Sequence, residues 1–302
     1  MPTSYALRKF DDAAPAEIEA ALEHGDMVFF ERCPIELPSD ADMAFLRNDL
    51  PQQSRVKNIS YHPETDSVPR FDAPEHVRRR VTAILKTHHA AVTKYLQKNI
   101  PNLVPGWTVG TTSFRAVEEE GRDLKARSSS EIVHIDAGAY GATNGNRIMR
   151  FFVNLSPSRD RVWGTKGSFS KLFEKHAAFA IVARGNSRRI TLRKGFADRC
   201  FTGLINGLSK LYPVARVLDS SPYDRAMRRI HNYMKESLYF RADSSDYREM
   251  RFPPLCAWSV FSDGFSHSVV SGQYAFATTI LIPLENCRTP EQAPYHILAA
   301  AK

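Results

Sequence analysis

The sequence predicts a mainly β protein with flanking helices and a helical insertion, and three observations carry that reading. Short runs rich in β-branched and aromatic residues occur at VGTTSFRAV (109–117), EIVHIDA (131–137), RIMRFFVNLSP (147–157), AWSVFSD (257–263) and YAFATTILIPL (274–284). Gly, Asp, Asn or Pro bounds each of them, as at strand ends. Upstream, apolar residues fall at helical spacing from Pro15 to His24 and from Pro74 to Leu96, the second with Val77, Val81, Ile84, Leu85 and Val92 on one stripe. Between the third and fourth strand runs, residues 165–250 hold helical runs broken by Gly and Pro, which read as a mainly helical insertion between two halves of a β core.

At 302 residues the chain is long for one domain, but β cores alone reach roughly 200–250 residues before elaboration. We therefore expect a single domain over 1–302, with an N-terminal helical and mixed region at 1–105, core halves at 106–164 and 252–287, and the insertion at 165–251. With 43% hydrophobic and 25% charged residues, the chain can bury a core and is not of disordered composition. The first residues contain no apolar signal region, and nowhere do 18 uncharged apolar residues run together, so a cytoplasmic protein is expected. Cys33, Cys200, Cys256 and Cys287 form no CxxC pair, which argues against a zinc knuckle or a disulfide framework and for reduced thiols in or near the core.

Charge is distributed unevenly. Between Arg159 and Arg251 there are 20 Lys and Arg against 9 Asp and Glu, whereas the rest of the chain has 21 against 24. The whole excess therefore lies in the insertion, as suits a polyanionic partner such as nucleic acid, an anionic membrane surface or a phosphorylated substrate. A solvated face without a partner is the plain alternative.

Chemistry enters at EIVHIDAG. His134 and Asp136 are two residues apart, so on a strand both side chains leave the same face. His267, in the turn after the 257–263 strand, supplies a third ligand candidate. Two histidines and a carboxylate on one face of an octahedral ion leave three positions open, the arrangement of non-haem Fe(II) oxygenases. A lone HxD is a weak signal. The order of strands around it, with a late histidine before Gly272 and another strand, is that of a double-stranded β-helix (jelly-roll) oxygenase core.

Such enzymes commonly take 2-oxoglutarate, whose distal carboxylate needs a cation. Position 277 is Ala, and no Arg or Lys follows His267 until Arg288. Arg150, alternating with Ile148, Phe152 and Asn154, is the favoured anchor because a bidentate guanidinium suits a carboxylate. Arg115 competes for that role, while Arg147 should face the opposite way. Ser271, Thr278 and Thr279 offer assisting hydroxyls, with strand propensity as their plainer explanation.

These residues sit in segments that resemble a known family. HIDAGAYGATNGNRIMRFFVNLSP and WSVFSDGFSHSVVSGQYAFATTILIP are similar to the 3-deoxy-D-manno-oct-2-ulosonic acid (Kdo) 3-hydroxylases, as are KNISYHP (57–63) and TTSFR (111–115). The resemblance implies an Fe(II)/2-oxoglutarate dioxygenase, with O2 as co-substrate and ascorbate as a supporting reductant. Its reaction would be hydroxylation of C3 of a Kdo sugar on Kdo-lipid A or a lipopolysaccharide precursor, giving Ko, succinate and CO2. The family's metal positions carry over to His134, Asp136 and His267. Gly138-Ala139-Tyr140 departs from the pattern, which affects substrate fit rather than the metal.

Lys57, Asn58, Ser60 and Tyr61 offer polar groups for substrate, and Arg147, Arg188 and Arg189 are further substrate-binding candidates. Arg188, Arg189, Arg193 and Lys194 beside Phe196, Phe201, Leu204, Ile205 and Leu208 could dock a cation-rimmed apolar face on an anionic leaflet. A peripheral place on the cytoplasmic face of the inner membrane is accordingly expected. For Leu204 to Leu211 alone, a helix face buried in the core is the competing expectation. No protein partner is evident. A nucleic-acid-binding protein would suit the basic insertion but lacks a recognition motif and leaves His134, Asp136 and His267 unexplained. An oxygenase acting on nucleic acid or protein is the other alternative.

Overall fold

The structure is a computed structural model that describes residues 3–4, 6–53, 58–121, 125–138, 142–177, 192–209 and 219–301. Ten strands form two sheets. They are β1 (Thr3–Ser4), β2 (Val28–Phe30), β3 (Asn58–Tyr61), β4 (Thr108–Arg115), β5 (Arg147–Asn154), β6 (Arg161–Thr165), β7 (Arg248–Phe252), β8 (Ala257–Phe261), β9 (Ser268–Ser271) and β10 (Ala275–Ile282). The larger sheet has the order β2-β8-β5-β10-β4-β3, and the smaller β1-β7-β6-β9.

Alternation along β5 sorts its side chains into two cores. Met149, Phe151 and Val153 face the long helix Glu75–Asn99, whose Val77, Val81, Ile84, Leu85, Val92 and Leu96 pack against them with Phe276 and Ile280 of β10. Phe152 faces the other way and joins Trp258, Val260 and Ala277 against Trp163, Met250, Phe252 and Val269 of the smaller sheet. The two sheets thus pack face to face, with the long helix covering the outside of the larger one. A third cluster packs the insertion's helix Pro222–Glu236 onto Val133 and Ile135 through Tyr223, Met227, Ile230 and Met234.

The first helix (Pro15–Glu23) and the long helix fall within a few residues of expectation. Two expectations need correction. Residues 131–137 form no strand: His134 makes a single bridge to His267, and the backbone otherwise runs irregularly. Arg248–Phe252, inside the stretch expected to be helical, is a strand of the smaller sheet. Its sequence REMRF buries Met250 and Phe252 on one face while Glu249 and Arg251 stand on the other, an alternation that its charges obscure. Cys200 is exposed, unlike the buried Cys256 and Cys287. Among the described residues, no helix is long and apolar enough to cross a membrane.

Candidate metal centre and its arginine cluster

Backbone hydrogen bonds lace the His134 segment to the edge of the smaller sheet. His134 N–H donates to the His267 carbonyl at 2.9 Å, His267 N–H returns to the His134 carbonyl at 2.7 Å, and Val269 N–H reaches the Ser130 carbonyl at 2.8 Å. Asp136 is fixed from the other side, its N–H donating to the Ser262 carbonyl at 2.8 Å. Residues 133 positions apart in sequence are thereby neighbours, and the ligand atoms of His134, Asp136 and His267 all lie within 4.8 Å of one another.

Each imidazole is also set in tautomer. His134 Nδ1 lies 2.7 Å from the Ile132 carbonyl and His267 Nδ1 3.1 Å from the Phe265 carbonyl. A carbonyl only accepts, so each Nδ1 carries the proton and each Nε2 presents its lone pair. Burial lowers the pKa of both rings, which keeps them neutral. For Asp136, burial alone would raise the carboxyl, but the Arg150 guanidinium foremost holds it well below the usual carboxylate range. Two neutral imidazoles and an ionised carboxylate suit a divalent first-row transition metal. Trp163 stacks on His267 at 5.1 Å between centroids, and His231 meets the His134 ring edge-on at 5.1 Å while its Nδ1 lies 2.6 Å from the Ile135 carbonyl.

Beside the trio lies a cluster of three guanidiniums, Arg161 buried and Arg115 and Arg150 half-buried. Arg150 donates from Nε to Asp136 Oδ2 at 2.5 Å and from Nη1 to Thr279 Oγ1 at 3.2 Å. Arg115 and Arg161 flank the fully buried Glu119 at 3.5 and 3.6 Å, and Ser130 donates its hydroxyl to the same carboxylate at 2.7 Å. Burial lowers both arginines, helped by repulsion from Arg150 at Arg115 and from Arg115 at Arg161, which falls to about 10, against the pull of Glu119. Among the described residues, the Nε of Arg115 and the Nε and Nη2 of Arg161 have no hydrogen-bond partner. Donors buried without acceptors are costly, so an anion bound here would relieve them.

A model of the 3-deoxy-D-manno-oct-2-ulosonic acid (Kdo) hydroxylase family matches residues 8–302. The chain belongs to this family. Solved structures of the Kdo hydroxylase KdoO, described as a non-haem Fe(II) α-ketoglutarate-dependent dioxygenase, share its fold. The complex with α-ketoglutarate and Fe(III) superposes with a TM-score of 0.79 at 23% identity, covering 98% of this chain and 96% of that one. Its apo form gives 0.76 at 23% identity over 100% and 96%, and its cobalt(II) complex 0.77 at 24% over 100% and 94%. No curated protein sequence matches the chain.

The remaining candidates of this Kdo hydroxylase family member fall in different places. Arg147 is corrected from substrate residue to core ion pair: it is buried, donates to Asp263 at 2.8 Å and lies over the Phe261 ring at 4.1 Å. Tyr61 is also corrected, since its ring packs in the core under the long helix and its hydroxyl donates to Asp66 at 2.6 Å. Asn58 is exposed at the start of β3, opposite Arg115. Ser271 is half-buried on β9 and pairs with Val162. Lys57, Arg188 and Arg189 lie outside the described residues. Arg161, Trp163, Glu119 and His231 escaped sequence reasoning. Arg161 and Trp163 sit on one five-residue strand, RVWGT, whose charge and glycine mask its buried character.

Proposed function

We propose that this Kdo hydroxylase uses Fe(II), 2-oxoglutarate and O2 to hydroxylate C3 of a Kdo sugar carried on Kdo-lipid A. His134, Asp136 and His267 would hold the metal on the edge of a double-stranded β-helix formed by the two facing sheets. The observation that carries the reading is the pair of imidazoles with committed Nδ1–H groups next to an ionised carboxylate and a cluster of three arginines. Relatives of the same fold have been solved with α-ketoglutarate and Fe(III), and with succinate and Fe(III). When bound, the iron supplies the redox chemistry that couples O2 and 2-oxoglutarate to hydroxylation with release of succinate and CO2.

The chain's own residues do the positioning. Arg150 braces Asp136 and, with Arg115 and Arg161, offers donors to the distal carboxylate of 2-oxoglutarate. Thr279 fixes the Arg150 fork. Trp163 and His231 wall the two histidines and limit water at the centre. The test is release of labelled CO2 from 2-oxoglutarate with Fe(II) and ascorbate, with and without Kdo-lipid A. Stimulation by the lipid supports the reading; release that ignores the lipid removes its substrate part.

We further propose that the enzyme meets its lipid-linked substrate at an anionic membrane surface, peripheral on the cytoplasmic leaflet. The helix Phe196–Ser209 exposes Phe196 (85%), Leu204 (62%), Phe201 (46%) and Leu208 (41%), while Ile205 is buried. Exposed Arg193 and Arg199 border that face, whereas Lys194 is engaged with Asp219. An apolar face rimmed by cations matches a headgroup region carrying negative charge. Salt-sensitive sedimentation with anionic vesicles, weakened in Phe196→Ser/Leu204→Ser, is the expected result; failure to bind such vesicles removes the docking proposal.

A further inference from the structure

The helix Pro222–Glu236 lies along the metal-site segment, and its contacts step down that segment in antiparallel order. Asp224 accepts from Thr143 N–H at 2.8 Å and from the Thr143 hydroxyl at 2.6 Å. His231 is bonded to the Ile135 carbonyl at 2.6 Å, and Lys235 reaches the Arg127 carbonyl at 3.1 Å. Arg228 stands between Asp224 and His231, one turn from the latter and so on the same helix face. Its Nη2 comes within 3.6 Å of the point where a Cβ on Gly138 would sit. Gly138 is two residues beyond Asp136, so this guanidinium stands against the chain just past the candidate metal ligand.

The other arginines near the centre already face a protein carboxylate, and the spare donors of Arg115 and Arg161 are assigned above to 2-oxoglutarate. Arg147 is paired with Asp263 at 2.8 Å, Arg150 with Asp136 at 2.5 Å, and Arg115 and Arg161 share Glu119. Even the neighbouring Arg225 is paired, with Asp198 at 3.0 Å. Arg228 is exposed and makes no ion pair with any described residue. An ulosonic acid carries its carboxylate on C1, two bonds from C3. A C3 held at the metal therefore brings that carboxylate close to the metal ligands, where a cation must meet it or leave it unpaired.

We infer that Arg228 is a substrate-binding residue that reads the carboxylate of the sugar acid, presented by the insertion's helix beside the metal-site segment. The inference rests on the reading of the substrate given above. Arginine suits this role because its planar fork donates two parallel hydrogen bonds to a carboxylate, which an ammonium cannot do. Gly138 leaves room for it: with φ at +67° this position takes a backbone conformation that side chains disfavour, and the fork approaches the chain where a side chain would otherwise stand.

The experiment measures KM and kcat for Kdo-lipid A in the holoenzyme with Fe(II) and saturating 2-oxoglutarate. Arg228→Ala should raise KM about ten-fold, with the loss concentrated in KM rather than kcat. Arg228→Lys should recover only part of it. Arg229→Ala, which removes an exposed charge from the next position on the helix, should leave KM within about two-fold. An unchanged KM in Arg228→Ala, or an equal rise in Arg229→Ala, overturns the inference, the second because it reduces the effect to bulk charge. If the wild-type enzyme decarboxylates 2-oxoglutarate but never hydroxylates Kdo-lipid A, the substrate reading falls and takes this inference with it. Normal wild-type turnover matched by Arg228→Ala removes this inference alone.

Discussion

Because side chains alternate along a strand, Arg147 and Arg150 leave β5 on opposite faces. That parity was legible in the sequence; the partners were not, since Asp263 and Asp136 reach them from distant segments. The consequence for Arg147 is a stability role. Removing one member of a buried ion pair strands the other, which costs about 3–5 kcal/mol. Arg147→Ala should therefore lower the midpoint of chemical denaturation sharply, and Arg147→Ala/Asp263→Ala should recover part of the loss; additive effects in the double-mutant cycle would show that the pair is not coupled. For the metal trio, His134→Ala, Asp136→Ala and His267→Ala should each abolish turnover and Co(II) binding while leaving cooperative unfolding intact. Full activity in any one of them would remove that residue from the centre.

At the scale of elements, the long helix Glu75–Asn99 was readable from its apolar stripe, yet the stripe omitted its most telling member. His88 is buried in the core under that helix, its ring 4.1 Å from Phe276, and among the described residues neither ring nitrogen has a hydrogen-bond partner. Burial, aided by His89, lowers its pKa from 6.5 to about 3. The folded state thus binds a proton less readily than the unfolded chain. Stability should be complete above pH 6.5 and fall as pH drops from 6.5 toward 3, by roughly 1.4 kcal/mol per pH unit from this group. His88→Leu removes the titrating group, so its unfolding free energy should decline less steeply than that of the wild type across that window. Parallel pH profiles would show that His88 does not titrate in this way. The 131–137 segment was the harder element: its residues have strand character, but its path is fixed by backbone bonds to His267 and Ser262, which lie across the whole insertion, and by His231 of the insertion's helix on the Ile135 carbonyl.

Over the whole molecule, the insertion is no appendage to the β core. Its helix Pro222–Glu236 packs on Val133 and Ile135, and the ligand candidates flank Ile135 on either side. Composition revealed the insertion's charge and helicity but not this contact, because nothing in a basic amphipathic helix says which segment its apolar face will cover. The anchor of the contact is Asp224, nearly fully buried, which accepts from Thr143 while completing the helix's own capping box with Ser221. Asp224→Ala strips both, leaving the N–H groups of Thr143 and Ser221 and both their hydroxyls short of an acceptor. A cost of about 2–4 kcal/mol follows from the lost cap and the buried unsatisfied donors. If the helix also holds the His134 segment in place, the same substitution should weaken Co(II) binding several-fold, read from the visible absorption of the bound ion during titration. Asp224→Asn keeps an acceptor for Thr143 and should restore most of the affinity. Unchanged Co(II) affinity in a destabilised Asp224→Ala protein would mean that the metal centre is organised by the two sheets alone.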